Sequence, residues 1–228
     1  MSLSHRFVVT IDGAAGTGKS TVAQELARRL GTECLDTGAM YRAIAVLSVD
    51  FNIDPTDGEK LTTAIRKIGI HFDWEKKPPT IHIGNDDVSQ RVRELDISGV
   101  VSIVAKQTEV REFLVEQQRA IGENHPLLVT EGRDQGSVVF PNADMKFFLE
   151  ATVDERTKRR VKQLRDAGTT VNDDEIQQDI EARDQIDSTR IDGPLSCPDD
   201  AIVINTSSMS MTEVVDVMES EVATLLGR

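Results

Sequence analysis

The sequence predicts an α/β domain with a central parallel sheet flanked by helices and a small antiparallel insert, on three observations. First, the apolar run Phe7 to Ile11 leads into a glycine-rich turn and then a helical pattern, the strand-loop-helix opening of a parallel sheet. Second, apolar runs return at Leu127 to Thr130, Met145 to Ala151 and Ala201 to Ser207, with helical stretches among them. Third, apolar and polar residues alternate on both sides of Lys77-Pro78-Pro79, so residues 69 to 93 read as an antiparallel hairpin.

The elements follow in order. A helix is expected from about Gly18 to Leu30, because Val22, Leu26 and Leu30 recur every fourth residue and Gly31 supplies a stop. A strand at Glu33 to Leu35 precedes a second helix through "LDTGAMYRAIAVLSV", and a third helix is expected over Lys60 to Ile68. Helical pattern resumes after the hairpin through "VSIVAKQTEVREFLVEQQRAIG". Thr152 to Glu155 has capping-box spacing before a helix rich in arginine, and Ser210 to Glu213 has it before the last helix, to Leu226. Between them "RDAGTTVNDDE" reads as a mobile loop.

At 228 residues with 39% hydrophobic content, the chain can bury one sizeable core, so one domain with appendages is expected. The net charge of −13 argues against nucleic acid or an anionic membrane as partner, and any anionic ligand must be held by local cationic clusters. Cys34 and Cys197 form no ligand pattern and suit a reducing compartment. His5, His71, His82 and His125 do not recur at metal-ligand spacing, and His71 and His82 fall on what read as paired strands. No apolar stretch reaches membrane-span length and the opening run is broken at Asp12-Gly13, so a cytoplasmic, monomeric protein without a signal peptide is expected. Met1 to His5 is expected to include residues added to the domain proper.

Gly13-Ala14-Ala15-Gly16-Thr17-Gly18-Lys19-Ser20 matches G-x-x-x-x-G-K-[ST] between a predicted strand and a predicted helix. The glycines let successive backbone N–H groups turn inward around an anion, and the helix points its positive end at the same place. Lys19 is expected on the β- and γ-phosphates of a nucleoside triphosphate, with Ser20 on Mg²⁺ and Thr21 completing the loop. No Asn-Lys pair occurs, so a guanine-nucleotide switch loses ground.

The second ligand is written in arginines. Thr37 is placed to cap the helix that carries Arg42 one turn in, so a hydroxyl, helix amides and a guanidinium can converge on a phosphate. Glu131-Gly132-Arg133-Asp134 ends a buried strand, where open α/β sheets place ligands, and Glu131 is a candidate for ordering magnesium-bound water or pairing an arginine. Arg183, Asp187 and Arg190 fall on one helical face, as do Arg156, Arg159 and Arg160. Two basic helices around a loop suggest a lid that brings positive charge to a polyphosphate.

The ordered set GAAGTGKS, LDTGAMYR, GNDDVSQRVR, VREFLVEQQR, EGRDQGSVVFPNADMKFFLEA, ERTKRR, RDQIDSTR and PLSCPDDAIVINT resembles the bacterial cytidylate (CMP) kinase family over residues 7 to 228. The resemblance implies a P-loop nucleoside monophosphate kinase fold with a core (about 5–60, 100–151 and 192–228), a monophosphate-binding insert (about 61–99) and a short helical lid (about 152–191). It further implies transfer from ATP to CMP, with dCMP as a second acceptor and Mg²⁺ as cofactor. By resemblance, phosphate contacts fall on Thr37, Arg42 and Arg133, cytosine-reading positions on Ser102, Arg111, Asp134 and Arg190, and ribose contacts on Arg183 and Asp187. Lys19, Arg133, Arg156, Arg159 and Arg160 are the expected catalytic cations. Ala14 stands where proline is common, Thr37 where serine is frequent, and Cys197 where alanine is often found. A kinase of UMP, another monophosphate or a small metabolite, a nucleotide-sensing regulatory module and a nucleic-acid-dependent ATPase are the rival readings; the charge of −13 weighs against the last.

Overall fold

Five parallel strands form the sheet of the computed structural model, in the order β2-β6-β1-β7-β8. They are β1 (Phe7–Gly13), β2 (Glu33–Asp36), β6 (Leu127–Glu131), β7 (Met145–Glu150) and β8 (Ile202–Asn205). The helices are α1 (Lys19–Leu30), α2 (Thr37–Asp50), α3 (Gly58–Ile68), α4 (Leu95–Val104), α5 (Thr108–Asn124), α6 (Val153–Asp166), α7 (Asp173–Thr189) and α8 (Met211–Leu226). A separate antiparallel sheet holds β3 (Ile70–Asp73), β4 (Thr80–Ile83) and β5 (Asp86–Asp87). The structure describes residues 6–166 and 168–227, so His5 and the expectation for Met1 to His5 lie outside the described residues.

Alternation along the central strands gives the sheet two different faces. Phe7, Val9 and Ile11 of β1, Leu127 and Val129 of β6, and Phe147 and Leu149 of β7 pack with Val22 and Leu26 of α1 and Val215, Met218 and Val222 of α8. Each fully buried aliphatic side chain contributes about 1.5–3 kcal/mol. The ion pairs from Arg29 to Asp216 and Glu219 across the same helices are partly solvated, and such pairs contribute about 0–1 kcal/mol. Apolar contact therefore dominates the docking of α8. Opposite, Leu35 and Leu128 join the larger core formed by α2, α3, α4, α5 and the insert.

That second face also buries polar groups: Thr10, Asp12, Gln118, Thr130 and Gln135 are each at most 1% exposed. Here β1 departs from expectation. Asp12 does not break the strand, which pairs in register with β7 through Gly13. Its carboxylate is satisfied inside the protein, by two backbone amides, and this allows the strand to continue.

Several boundaries also move. The insert is three-stranded, with β5 added to the hairpin, and His71 lies directly opposite His82 as its alternation implies. α3 starts earlier than expected, because the Asp57 side chain accepts from Lys60 N at 3.0 Å. The long helical stretch is two helices, α4 and α5, separated at Ala105–Gln107. Residues 165–166 complete α6 and 173–175 open α7, so the connection between them is shorter than the sequence suggests; Ala167 lies outside the described residues. Thr152 accepts from Glu155 N at 3.3 Å, but the Glu155 carboxylate turns to Arg159 at 3.0 Å, leaving half of the expected capping box. The complete box forms at Ser210 and Glu213.

Candidate active site

The glycine-rich loop joins β1 to α1, with Gly18 in the left-handed region at φ 93° just before the helix. Lys19 is buried beneath it and donates to the Ala14 carbonyl at 2.6 Å. Burial first, then the nearby Arg133 guanidinium, push the Lys19 ammonium well below its ordinary range. Two arginines of α6 hold the loop from outside. Arg156 donates to the Ala15 carbonyl at 3.1 Å, and Arg159 reaches the Thr17 carbonyl at 3.5 Å.

The Ser20 hydroxyl donates to Glu131 Oε1 at 2.7 Å. A hydroxyl and a carboxylate beside the phosphate loop are hard oxygen donors, the set that suits Mg²⁺ when substrate phosphates and water complete its shell. The residues present fit that ion. Glu131 is thus neither paired with an arginine nor free: burial, then the Asp36 charge, raise its carboxyl to about 7.

On the other side of the crevice, α2 begins with a correction. Asp36, not Thr37, caps it, accepting from Ala39 N at 2.8 Å and pairing with Arg42 at 3.2 Å. Thr37 is buried and gives its hydroxyl proton to the Glu131 carbonyl at 2.7 Å. A hydroxyl has one proton to donate. In this geometry Thr37 therefore supports the end of β6 and has none left for a phosphate.

The remaining cations and acids converge. Arg133 donates to Asp187 at 2.9 Å, with Arg183 on the turn of α7 below. Burial alone would raise the Asp187 carboxyl, but Arg133 and Arg183 outweigh it and hold it low. Arg183 itself falls to about 10 through burial and then Arg133. Arg111 of α5 pairs with Asp134, both 3% exposed, and Arg190 stands 3.8 Å from the same carboxylate. Arg190 is the residue that ends α7 rather than a member of it, and its Nε bonds the Gly193 carbonyl at 2.5 Å. Ser102 is half-buried on α4. Among the described residues, no acceptor meets the buried Arg42 Nε, Arg111 Nη1 or Arg183 Nε.

The expected catalytic cations of the lid divide. Arg156 is 4% exposed, with further bonds to the Ala151 carbonyl at 3.1 Å and Asp184 at 2.7 Å. Arg159 is held by Thr206, at 2.6 Å to its carbonyl and 3.1 Å to its hydroxyl. Arg160 bonds Gln163 at 2.8 Å and adds its charge to that felt by Arg183. Thr206 is itself 2% exposed and carries these structural contacts.

Sequence reading missed Asp12, Asp36, Asp184 and Gly193. Asp36 was signalled by its place three residues before Ala39, a cap position as good as that of Thr37. Gly193 gave no signal. It has φ 57°, and a Cβ there would overlap Arg111 and Asp134.

The sequence profile of the family described as cytidylate kinase matches residues 9–224. A cytidylate kinase of Caldanaerobacter subterraneus is 44% identical over 91% of this chain and 91% of its own. One from Salinibacter ruber is 40% identical over 97% of this chain and 99% of its own. A solved structure of an uncharacterized protein from Eubacterium ventriosum superimposes with TM-score 0.52 at 13% identity, covering 96% and 99% of the two chains, a likeness of fold.

Proposed function

The chain belongs to the cytidylate kinase family, and from that membership we propose that it transfers the γ-phosphoryl group of ATP to CMP or dCMP, releasing ADP and CDP or dCDP. The observation that carries the reading is the double character of the crevice. A phosphate loop with Lys19 faces a cationic cluster of Arg42, Arg133 and Arg183, and beside that cluster lies the buried Arg111–Asp134–Arg190 group. The charged forms of Lys19 and Arg183, disfavoured by burial and by Arg133, are stabilised when an anion arrives, which suits two phosphorylated substrates meeting end to end. Arg133, adjacent to Lys19 in charge and bonded to Asp187, links the two halves.

The acceptor oxygen needs no general base, since the second ionisation of a phosphate monoester lies near pH 6 and leaves the group dianionic at neutral pH. Catalysis then consists of alignment and charge neutralisation. The amides of residues 13–21 and Lys19 hold the donor phosphates, Arg42 and Arg133 hold the acceptor phosphate, and Arg183 reaches the ribose. Ser20, supported by Glu131, would hold Mg²⁺, which supplies positive charge to the phosphate oxygens when bound. Arg160 carries lid charge toward the transferring group, while Arg156 and Arg159 shape the loop that holds it. In the division into core, insert and lid, α6 and α7 exclude the water that would otherwise compete as acceptor.

Base choice follows from the buried charge group. Cytosine offers an exocyclic amine donor beside ring acceptors, which a carboxylate and guanidinium complement; Asp134 accepts from the amine, and Arg111, Arg190 and Ser102 donate to the acceptors. Asp187 accepts from a ribose hydroxyl. The reading is tested by ADP release with ATP, Mg²⁺ and, separately, CMP, dCMP, UMP, AMP, GMP and shikimate. Turnover largely confined to CMP and dCMP supports it; silence with every acceptor in a folded, ATP-binding protein favours a regulatory module.

A further inference from the structure

We propose that Asp12, the last residue before the phosphate loop, is a positioning residue for base selectivity, acting by fixing the main chain that carries Asp134. The inference rests on the reading of Asp134 as the cytosine-contacting carboxylate. Asp12 faces the polar side of the sheet and is 1% exposed. Both carboxylate oxygens are engaged: Oδ1 accepts from Gln135 N at 2.9 Å and Oδ2 from Gly136 N at 2.7 Å.

Those two amides open a π-helical turn, Gln135–Val139, that starts immediately after Asp134. N-terminal amides of such a turn have no partner within it, and a carboxylate is a strong acceptor for both. From the other side, the Asp134 carbonyl accepts from Val138 N at 2.9 Å and Val139 N at 3.1 Å. The backbone of Asp134 is therefore held fast while its side chain turns to Arg111 and Arg190. Residue 136 leaves space for the anchor only as glycine, since a Cβ there would stand 2.9 Å from Thr10 Oγ1 and 3.4 Å from Asp12 Oδ2. A π-helical turn inside a fold commonly marks a functional position. Asp12 is 1% exposed and each of its oxygens is engaged by a backbone amide, so it acts through the turn.

Asp12→Asn presents one acceptor and one donor to two donors and loosens the grip without changing size. The experiment compares kcat/KM for CMP and UMP, and KM for ATP, in wild type, Asp12→Asn, Asp134→Ala and the double variant. A displaced contact group costs on the order of 10- to 100-fold. The preference for CMP is expected to fall by about that factor in Asp12→Asn, with the KM for ATP little changed and no further loss in the double variant, because both changes act on one contact. If Asp134→Ala loses the preference and Asp12→Asn keeps it, or if the two losses multiply, or if Asp12→Asn chiefly raises the KM for ATP, the inference is overturned and the base-site reading stands. If Asp134→Ala itself keeps the preference, the base-site reading fails and takes the inference with it. Should Asp12→Asn not fold, amide hydrogen exchange in the wild type decides: Gln135 and Gly136 must be protected before CMP is added, and exchange as fast as in exposed loops overturns the anchor.

Discussion

Gly193 lies against the ion pair of Arg111 with Asp134 so closely that its missing side chain is part of the geometry of the proposed base site. Its carbonyl is bound to Arg190, and Asp192 next to it accepts from Thr108 at 2.5 Å, so this short loop closes over the pair. Gly193→Ala should raise the KM for CMP by about tenfold or more while leaving the KM for ATP near the wild-type value, since both the positive φ and the overlap fall on the acceptor side. Steady-state kinetics with each substrate varied in turn check this; an unchanged KM for CMP would separate the loop from the acceptor site.

Lys19→Ala removes the buried cation of the phosphate loop. Contacts of this type contribute mainly in the transition state, and loss of one lowers kcat on the order of 10²- to 10³-fold. Single-turnover phosphoryl transfer measures the effect directly, and a near-normal rate would take Lys19 out of the chemistry.

Thr37 separates a structural hydroxyl from a substrate-binding one. Because its proton goes to the Glu131 carbonyl, Thr37→Val should cost about 1 kcal/mol of stability in urea unfolding and Thr37→Ser much less. A large rise in the KM for CMP without any loss of stability would show the hydroxyl serving the phosphate instead.

Asp12 also sets a pH dependence. Burial raises its carboxyl from 3.8 to about 6, against the opposing pull of the Gly136 and Gln135 amides. The native state therefore binds more protons than the unfolded chain across that interval, so this group's contribution to stability is fullest below about pH 4 and declines as pH rises to about 6. The whole decline amounts to about 3 kcal/mol at about 1.4 kcal/mol per pH unit. Urea unfolding of wild type and Asp12→Asn from pH 4 to 7 should differ in slope over that window, and parallel curves would contradict the elevation. The raised Glu131 contributes a slope of the same sign in both proteins and cancels in the difference.

The chain's single tryptophan, Trp74, meets His125 edge-on with ring centroids 4.6 Å apart, so insert and core touch through an optical reporter. His125→Ala should shift the emission maximum to the red as the indole edge becomes solvated. An unchanged spectrum would mean that the contact is not populated in solution.

Much of the architecture was legible because most of the central strands are rich in apolar residues and the P-loop is a dense local motif. Val9, Ile11, Val129 and Phe147 read as core and are core. What failed to show was any feature decided by a partner distant in sequence. Asp12 looks like a strand breaker until Gln135 and Gly136 supply its donors, 123 and 124 residues away. Helical spacing grouped Arg156 with Arg159 and Arg160, but only packing reveals that Arg156 is consumed by Ala15, Ala151 and Asp184. Similarly, spacing put Arg190 on a helical face, whereas the chain leaves the helix at that residue and turns back through Gly193. The motif residues of the candidate site were found by type and order, and their division into ligands and supports belongs to three dimensions.

Two carbonyls of the phosphate loop point outward to cations: Ala15 to Arg156 and Thr17 to Arg159. A peptide group is planar, so a carbonyl drawn to one side sends the following N–H to the other. Each cation behind the loop thus helps aim an amide at the hollow in front. The ordering of these peptides is accomplished when the chain folds, and a nucleotide arriving later meets a rigid mould with little conformational entropy left to lose.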